Sequence, residues 1–315
     1  MRIQKISKKQ NNYDVIISGG GPAGLSAAIL CAEKGLSVIV CEKGKVPGPL
    51  PRAETVYDHP VFDYVLGRGF IPRIGLYKTS KRKFNSPGAK KSLYVKLSGG
   101  RESFVFEWRD LIHALEQKAK SVGVHIRTST EVVAPIIEND ICVGVMLKSN
   151  ERIFARTVLA CDGHASKLGR FADVPYQQMN TVIVKNIVSN FHSDYDGFEY
   201  FFVGAGELPY AREFPPLIAF VFPRGSNICE TGLYMPPGPA FTHGMMPSRV
   251  DDKRFIEIWH QLKASYPRFS SLMHPTKNIY EGIAKIPVGR LHQNAAPVPG
   301  LILIGDAIGF LEASG

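Results

Sequence analysis

The chain has 315 residues, a formal net charge of +10 and an ordinary globular composition, with 44% hydrophobic and 21% charged residues. This length predicts about two domains and suffices for a large apolar core without disulfide or metal staples. No run approaches the roughly 18 consecutive apolar residues of a transmembrane helix, and residues 1–12 lack the apolar segment of a secretory signal. The five cysteines form no Cys-x-x-Cys pair, which argues against zinc-ribbon, thioredoxin and iron–sulfur patterns and favours free thiols in a reducing cytoplasm.

The first fifty residues predict a strand, a glycine-rich turn, a helix and a second strand. The strands span 13–18 and 37–41, and a helical pattern of apolar residues separates them. The turn reads Gly19-Gly20-Gly21-Pro22-Ala23-Gly24, a Gly-x-Gly-x-x-Gly pattern, and the second strand ends at Glu42. This order of elements is typical of a dinucleotide-binding βαβ unit.

The residues of this pattern each have a physical role. Gly19 permits the tight turn, Gly21 allows a pyrophosphate to approach the backbone, and Gly24 allows the helix to pack closely on the strand. Pro22 begins a helix whose free N–H groups and dipole attract phosphate. Glu42 is placed to accept hydrogen bonds from an adenosine ribose, which favours FAD or NAD over NADP.

Two further acidic motifs follow buried strands later in the chain. Strand 157–160 leads into Cys161-Asp162-Gly163, and strand 301–304 leads into Gly305-Asp306-Ala307-Ile308-Gly309. The three motifs, in this order, resemble the FAD fingerprints of the p-hydroxybenzoate hydroxylase-type flavoproteins. The resemblance covers essentially the whole chain and implies FAD as the cofactor, with Asp306 hydrogen-bonded to the ribityl chain.

The same resemblance implies the rest of the cofactor site. Arg109 resembles the Arg that opens the family's third helix and reaches toward FAD, and Arg52 lies where a basic residue often follows the acid-ended strand. Since no second Gly-x-Gly-x-x-Gly occurs, NAD(P)H or another reductant is expected to bind only transiently, and no metal site is predicted. The predicted cofactor-binding residues are Gly19, Gly21, Pro22, Ala23, Gly24, Glu42, Lys43, Arg52, Arg109, Asp162, Gly163, Gly305, Asp306 and Gly309.

Alternating strand patterns and many aromatic residues distinguish the middle of the chain. Four strands are predicted at 181–188, 197–203, 217–222 and 228–233, followed by a helix at 251–266. This antiparallel sheet is expected to cover the flavin ring, with an elongated apolar pocket for the substrate between them. The segment from Ile218 to Gly225, with Thr231-Gly232-Leu233 after it, resembles the geranylgeranyl reductase family. The predicted pocket residues are Phe220, Phe222 and Pro223.

These patterns predict an α/β fold with two main units. A Rossmann-like FAD-binding domain is expected from residues 1–75, 100–174 and 285–315, and an antiparallel-sheet substrate domain from 175–284. Residues 76–99 are expected to form a separate basic hairpin. The helix that follows Asp306 has barely begun at residue 315, so the C-terminus is expected to be truncated.

Three functions agree with these features. The first is FAD-dependent reduction of carbon–carbon double bonds in a prenyl or other hydrophobic substrate. The second is FAD-dependent monooxygenation of an aromatic or polyene, because Pro51-Arg52-Ala53-Glu54-Thr55 replaces the Cys-Gly-Gly that the reductases often carry. The third is a truncated FAD-binding protein with little turnover. No catalytic residue is assigned, although Glu54, Tyr57 and His59 lie in the segment expected to approach the flavin.

The positive charge is concentrated between Arg68 and Arg101, a segment with ten basic residues and no acidic one. The other 28 basic residues equal the 28 acidic residues in number. A solvated edge hairpin and an anchor for anionic lipid head groups or a diphosphate both fit this pattern. No nucleic-acid motif accompanies the charge, so nucleic acid is not expected as a partner. The expected location is the cytoplasm, with peripheral attachment to the inner face of the membrane as the alternative.

Overall fold

The computed structural model describes residues 13–48, 53–57, 59–172, 180–235, 251–287 and 294–309. These residues form three sheets with helices packed against them. The strands are β1 (Tyr13–Ser18), β2 (Val38–Cys41), β3 (Ala53–Tyr57), β4 (Tyr77–Thr79), β5 (Lys81–Asn85), β6 (Ser92–Lys96), β7 (Ser103–Glu107), β8 (His125–Arg127), β9 (Val132–Glu138), β10 (Ile141–Leu147), β11 (Arg152–Ala160), β12 (Asn180–Ser189), β13 (Phe198–Val203), β14 (Leu217–Pro223), β15 (Cys229–Tyr234), β16 (Lys277–Pro287) and β17 (Leu301–Leu303).

Seven α-helices accompany these strands in the described part of the chain, along with three short 3-10 turns. The helices are α1 (Pro22–Ala32), α2 (Pro60–Leu66), α3 (Phe70–Ile74), α4 (Trp108–Ser121), α5 (Lys167–Phe171), α6 (Asp252–Ser265) and α7 (Phe269–Met273). The 3-10 turns are Pro87–Ala89, Ala211–Glu213 and Gly305–Ile308. None of the helices in the described ranges is long and apolar enough to cross a membrane.

The first sheet has the order β8-β2-β1-β11-β10-β9, and β17 also pairs with β11. Strands β1, β2, β8, β11 and β17 run parallel, whereas β9 and β10 add an antiparallel hairpin. The parallel strands are buried on both faces, which explains why Val15-Ile16-Ile17 reads as a continuous apolar run. Ile17 faces the core under α1 and α4, whereas Ile16 faces the core on the opposite side. The predicted strand–turn–helix–strand start of the chain is confirmed.

The second sheet has the order β16-β12-β15-β14-β13-β5-β6. Helices α6 and α7 cover one of its faces, where Phe255, Trp259 and Phe269 are fully buried. Strand β5 pairs in parallel with β13, with Arg82 opposite Phe198. The β5–β6 hairpin, which the sequence analysis treats as a separate unit, therefore forms the edge of this sheet.

The third sheet has the order β3-β7-β4 and lies beside the second. Residues 76–99 do not form one hairpin as expected, because β4 joins the third sheet and only β5 and β6 pair with each other in the second. The chain turns between β4 and β5, where the Thr79 hydroxyl accepts a hydrogen bond from the Lys81 amide at 3.0 Å. A hydrogen bond from a backbone amide to a nearby side chain competes with the hydrogen bonds between strands, so it ends a strand.

Candidate functional site

The three predicted cofactor motifs meet at the carboxyl ends of neighbouring parallel strands. Gly19 follows β1, Asp162 follows β11 and Gly305 follows β17. Backbone bonds join these ends, since the Cys161 amide donates to Ser18 O at 2.8 Å and the Ile304 amide to Ala160 O at 2.9 Å. In open α/β sheets, ligands bind at this edge, where the strand order reverses.

Close packing explains three glycines at this edge. A Cβ on Gly19 would lie 2.3 Å from Cys161 O, and a Cβ on Gly24 would lie 2.0 Å from Gly19 O. A Cβ on Gly305 would lie 3.1 Å from that of Ala23, so the third motif rests directly on the first turn of α1. Gly19 and Gly24 need glycine because backbone atoms occupy the space of a side chain, whereas Gly305 makes a tight contact and has a φ of 65°, which favours glycine.

Gly21 differs from these glycines because it faces open space. A Cβ there would meet no atom within 4 Å, and its φ of −79° lies in a region that any residue adopts. Gly21 is the N-cap of α1, no side chain caps that end, and Pro22 follows at the first turn. This combination of free backbone donors and unfilled space fits a phosphate-bearing cofactor.

Glu42 holds the turns around this space. Its carboxylate is buried and accepts hydrogen bonds from the Gly20 amide at 2.7 Å and the Gly44 amide at 2.6 Å. A carboxylate has about four acceptor positions, so both oxygens retain capacity for a further donor. The sequence predicts the acid at the end of β2 but not this role in fixing two loops.

Asp162 has an unsatisfied buried atom at the same edge. Its Oδ2 accepts a hydrogen bond from the Lys167 amide at 3.0 Å, whereas Oδ1 is buried and has no partner among the described residues. Burial raises the pKa of Asp162, against the opposing effect of hydrogen bonds from Ser166 and nearby amides. A buried acceptor of this kind fits a cofactor hydroxyl or N–H group.

Most of the other predicted cofactor residues lie at the turn after β17 or at exposed positions. Asp306 lies in the 3-10 turn after β17, and Gly309 ends that turn with a φ of 84°. Lys43 is exposed after β2, and Arg109 is the exposed second residue of α4. Arg52 lies outside the described residues.

A separate pocket of about 190 Å³ lies between the second and third sheets. Its walls come from β3, β5, β7 and β12–β15, and none of the predicted cofactor residues lines it. Side chains of the second sheet alternate between this pocket and the opposite core, as strand geometry requires. On β12, for example, Ile183 lines the pocket and Val184 packs in the core beneath α6.

Aromatic rings form much of the pocket wall. The Phe222 ring centroid lies 4.4 Å from that of Phe198 and 4.7 Å from that of Phe220. Gly232 makes room for this cluster, because a Cβ there would lie 2.7 Å from the Phe220 ring. The structure thus places Phe220 and Phe222 on the pocket wall, whereas Pro223 ends β14 and does not line the pocket.

Charged side chains also reach this pocket, and sequence analysis missed them. Arg82 lines the wall formed by β5, and Lys185 pairs with the buried Glu230 at 2.9 Å. Arg82 is hidden in the sequence by its place in a run of basic residues. If the run is treated as a strand, alternate side chains face opposite sides of the sheet, so Arg82 and Lys81 lie on different faces. Lys81 is about half exposed.

The segment expected to approach the flavin is only partly at the pocket. Glu54 and Tyr57, from β3, contribute to its lining. His59 does not, and instead its Nδ1 accepts a hydrogen bond from the Val61 amide at the start of α2. The structure therefore places two of the three side chains at this pocket.

Comparison with known proteins identifies the family. The model of the FAD binding domain matches residues 12–230, which include the glycine-rich turn and the Asp-Gly motif. The chain belongs to this FAD-binding family. It is therefore a flavoprotein of the FAD-dependent oxidoreductases, with FAD as its cofactor.

Relatives of this flavoprotein include prenyl-lipid reductases. It is 28% identical over 307 residues to digeranylgeranylglycerophospholipid reductase 2 of Methanococcoides burtonii, covering 95% of this chain and 69% of the relative. Its fold is similar to that of a geranylgeranyl bacteriochlorophyll reductase-like protein from Thermoplasma acidophilum, with a TM-score of 0.75, 20% identity, and 94% and 71% of the two chains covered. It is also similar to 2-methyl-3-hydroxypyridine-5-carboxylic acid oxygenase, with a TM-score of 0.63, 19% identity, and 94% and 76% covered.

Proposed function

We propose that this flavoprotein reduces carbon–carbon double bonds of a prenyl or similarly hydrophobic substrate. The observation that carries the proposal is the pocket between the second and third sheets, where Phe222 packs against both Phe198 and Phe220. These rings give the pocket an apolar stretch that suits a hydrocarbon chain, beside the charged side chains of Glu54, Arg82, Lys185 and Glu230 that also line it. The names of the relatives support the same substrate class.

The cofactor is proposed to bind along the edge where the three motifs meet. Gly19, Gly21 and Gly24 at the start of α1 would hold the pyrophosphate, and Glu42 the adenosine ribose. Asp162, Gly163, Gly305, Asp306 and Gly309 are proposed to hold the ribityl and flavin end. When bound in its reduced form, FAD would supply the hydride, and a proton would complete the addition of hydrogen to the double bond; NAD(P)H or another reductant is proposed to reduce the oxidised FAD again.

The protein's own part in this reaction is to bind and orient the substrate. The aromatic wall excludes water from the hydrocarbon, and the sheet fixes the rings at the spacing that its strands impose. No proton donor is assigned for the second carbon. Glu54 and Tyr57 are the candidates that the pocket lining retains from the sequence analysis.

The test uses the full chain loaded with FAD and reduced with dithionite under anaerobic conditions. Incubation with geranylgeranyl lipid should give products with the mass of added hydrogen. Phe222→Ala should lower the rate while FAD binding is unchanged, because it opens the aromatic cluster. Phe171→Ala is the matched control, since that ring is 51% exposed on α5. Unchanged substrate with FAD demonstrably bound would overturn the proposal.

Monooxygenation is the second candidate, favoured by the similarity to an oxygenase fold. The discriminating measurement is oxygen uptake with NAD(P)H, with and without an aromatic or polyene substrate. Substrate-stimulated oxygen uptake and an oxygenated product would favour this candidate. A hydrogenated product formed without oxygen would favour the reductase.

An anionic membrane surface is proposed as a partner of the β5–β6 hairpin. Arg82 and Lys83 are buried, so fewer cations than the sequence suggests are available for such a role. Lys90, Lys91 and Lys96 are exposed beside Leu93 and Tyr94, which are 63% and 62% exposed. Each cation near an anionic bilayer contributes about 1 kcal/mol, so three give a weak, salt-sensitive attachment.

Vesicle sedimentation tests this partner. The protein should sediment with phosphatidylglycerol vesicles at low salt and not with phosphatidylcholine vesicles. Charge reversal at Lys90 and Lys91 should abolish the binding, whereas reversal at the distant exposed Lys253 should not. Binding that is unaffected by salt or by the hairpin variant would contradict this role.

A further inference from the structure

Strand β7 lies between the pocket and the core beneath α1 and α4, and it presents one face to each. Phe104 and Phe106 are buried in that core. Ser103, Val105 and Glu107 point the opposite way, toward the second sheet, because side chains alternate along a strand. Val105 is 1% exposed and packs in a cluster with rings of the pocket wall. The pocket and the cofactor side of the molecule therefore meet at this strand.

Two buried arginines of the second sheet hold the ends of this face of β7. Arg82, on β5, donates from Nη2 to Ser103 Oγ at 2.5 Å. Arg224, directly after β14, donates from Nη2 to the Glu107 carboxylate. The two arginines are 7% and 6% exposed. Burying a cation is costly unless it is paired, so neither arginine leaves its partner without a penalty.

The contacts of Arg82 belong to the pocket. It is one of four charged residues on the wall, with Glu54, Lys185 and Glu230, so the charges there balance. Burial raises the pKa of Tyr200, and the charge of the nearby Arg82 guanidinium opposes that rise. This end of β7 therefore contributes to the shape and the charge balance of the pocket.

The contact of Arg224 lies on the cofactor side. Glu107 ends β7 and is the N-cap residue of α4, but its side chain does not cap the helix and instead pairs with Arg224. Glu107 also pairs in register with Ala53 of β3, and Arg109 follows it in the first turn of α4. The ion pair therefore fixes the point where β3, β7 and α4 meet, just before Arg109.

The turn that carries Arg224 has a fixed backbone. The Arg224 amide donates to Ile228 O at 2.9 Å. A Cβ on Gly225 would lie 2.8 Å from Leu76 O, and the Leu76 amide donates to Val105 O at 2.8 Å. Since this backbone already packs against a neighbour of β7, the Arg224 side chain starts from a defined position and can hold its carboxylate partner in place.

We propose that Arg224 is a positioning residue for the cofactor: it holds Glu107, fixes the first turn of α4 and thereby places Arg109 to bind FAD. Arg224 itself does not touch FAD in this account. A guanidinium suits the task because it keeps its charge when buried and binds a carboxylate in a defined orientation. This inference rests on the cofactor site of the proposed function and is independent of the substrate named there.

Titration of the full-length apoprotein with FAD, followed by quenching of flavin fluorescence, tests the inference without turnover. Arg109→Met should raise the Kd for FAD about 10-fold or more, as the loss of a hydrogen bond to a charged group does. Arg224→Met should raise it about 3-fold or more, and Arg224→Lys, which keeps the charge, should retain part of the affinity. The double variant should bind FAD no more weakly than Arg109→Met alone, because Arg224 acts through Arg109.

Thermal unfolding of each apoprotein and two further arginine variants serve as controls. Arg224→Met should remain folded, because Glu107 is 39% exposed and water replaces the lost partner. Arg82→Met releases the pocket end of β7 and should leave the Kd for FAD within about 2-fold of the wild type. Arg254→Met removes an exposed pair with Glu213 and should change neither the Kd nor the Tm appreciably.

Three results would overturn the positioning role. They are an unchanged Kd in Arg224→Met or in Arg109→Met, losses that add in the double variant, and an equal loss in Arg82→Met, which would indicate general loosening of β7. If Arg224→Met does not fold, Glu107→Gln replaces it, since the amide keeps an acceptor for Arg224 but loses the charge, and its loss should likewise disappear in the Arg109→Met background. None of these measurements involves a substrate, so the reductase proposal is tested separately by the incubation with geranylgeranyl lipid.

Discussion

Gly21→Ala, at the start of α1, should weaken FAD binding while the stability of the apoprotein changes little. The added Cβ would meet no atom within 4 Å, and the backbone angles of −79° and −175° suit alanine. Alanine is a poorer N-cap residue than glycine, and this difference should lower the free energy of unfolding of the apoprotein by no more than about 1 kcal/mol. If the open space holds the pyrophosphate, the methyl group displaces it, and loss of one hydrogen bond to a charged group costs about 1.5–3 kcal/mol. That corresponds to an increase of about 10-fold to 150-fold in the Kd for FAD.

The assay pairs an FAD titration, followed by quenching of flavin fluorescence, with thermal unfolding of the apoprotein. Gly24→Ala is the contrasting variant, because its Cβ would lie 2.0 Å from Gly19 O. Overpacking of this kind costs about 1–3 kcal/mol, so Gly24→Ala should lower the Tm of the apoprotein clearly. The assignment of Gly21 to the cofactor is refuted if Gly21→Ala binds FAD like the wild type, or if its Tm falls as far as that of Gly24→Ala.

Three further predictions concern buried charge, pH and thiols. Lys83→Met should cost about 1 kcal/mol in urea unfolding, because the buried Glu199 carboxylate keeps two hydrogen bonds from Arg268. The double variant Lys83→Met/Arg268→Met strands that carboxylate and should cost at least about 3 kcal/mol, whereas the exposed Lys81→Met should cost less than about 1 kcal/mol; a double variant as stable as Lys81→Met would contradict the role of burial. Burial acts to raise the pKa of Glu281, but hydrogen bonds from three α6 side chains lower it to about 2, below its ordinary value of 4.5. Its stabilising effect is therefore complete above about pH 4.5 and disappears as the pH falls toward 2, so Glu281→Gln should flatten the Tm profile in that range, and an unchanged slope would oppose this account. Burial raises the pKa of Cys161 to about 12, and Cys31 is the least buried of the five thiols; iodoacetamide at pH 8 should therefore add at most one label to the native protein by mass spectrometry, and a second label would show that a buried thiol is accessible.

Local sequence patterns were sufficient to predict the elements around the cofactor edge. β1 agrees with the predicted strand at both ends, and α1 begins at the predicted Pro22. These elements are specified by short-range features: a doubly buried strand, a glycine-rich turn and a helix start. The same features place Asp162 and Gly305 after strands, and the register of the parallel sheet then brings them together. Their contacts with FAD stay predictions.

The pocket depends on long-range pairing that a single sequence does not display. β5 finds its partner β13 more than a hundred residues later, and only that pairing shows that Arg82 and Lys83 are buried on opposite faces of the sheet. In the sequence both residues look like part of a solvated basic run. The break at Thr79 is missed for a similar reason, because strand propensity continues across it while the two halves join different sheets.

The alternation of side chains along β12–β15 has a consequence for how this protein could change its ligand. Consecutive residues of these strands lie on opposite faces of the sheet. One lines the pocket, and the next packs against α6 and α7. Substitutions at the pocket-facing positions therefore change the pocket without removing a contact to α6 or α7, and those that conserve the volume of the buried Phe198 and Phe220 should cost the least stability. A mutant library confined to the pocket-facing positions would vary the ligand specificity. The residues on the other face of the sheet, which pack against α6 and α7, would stay unchanged.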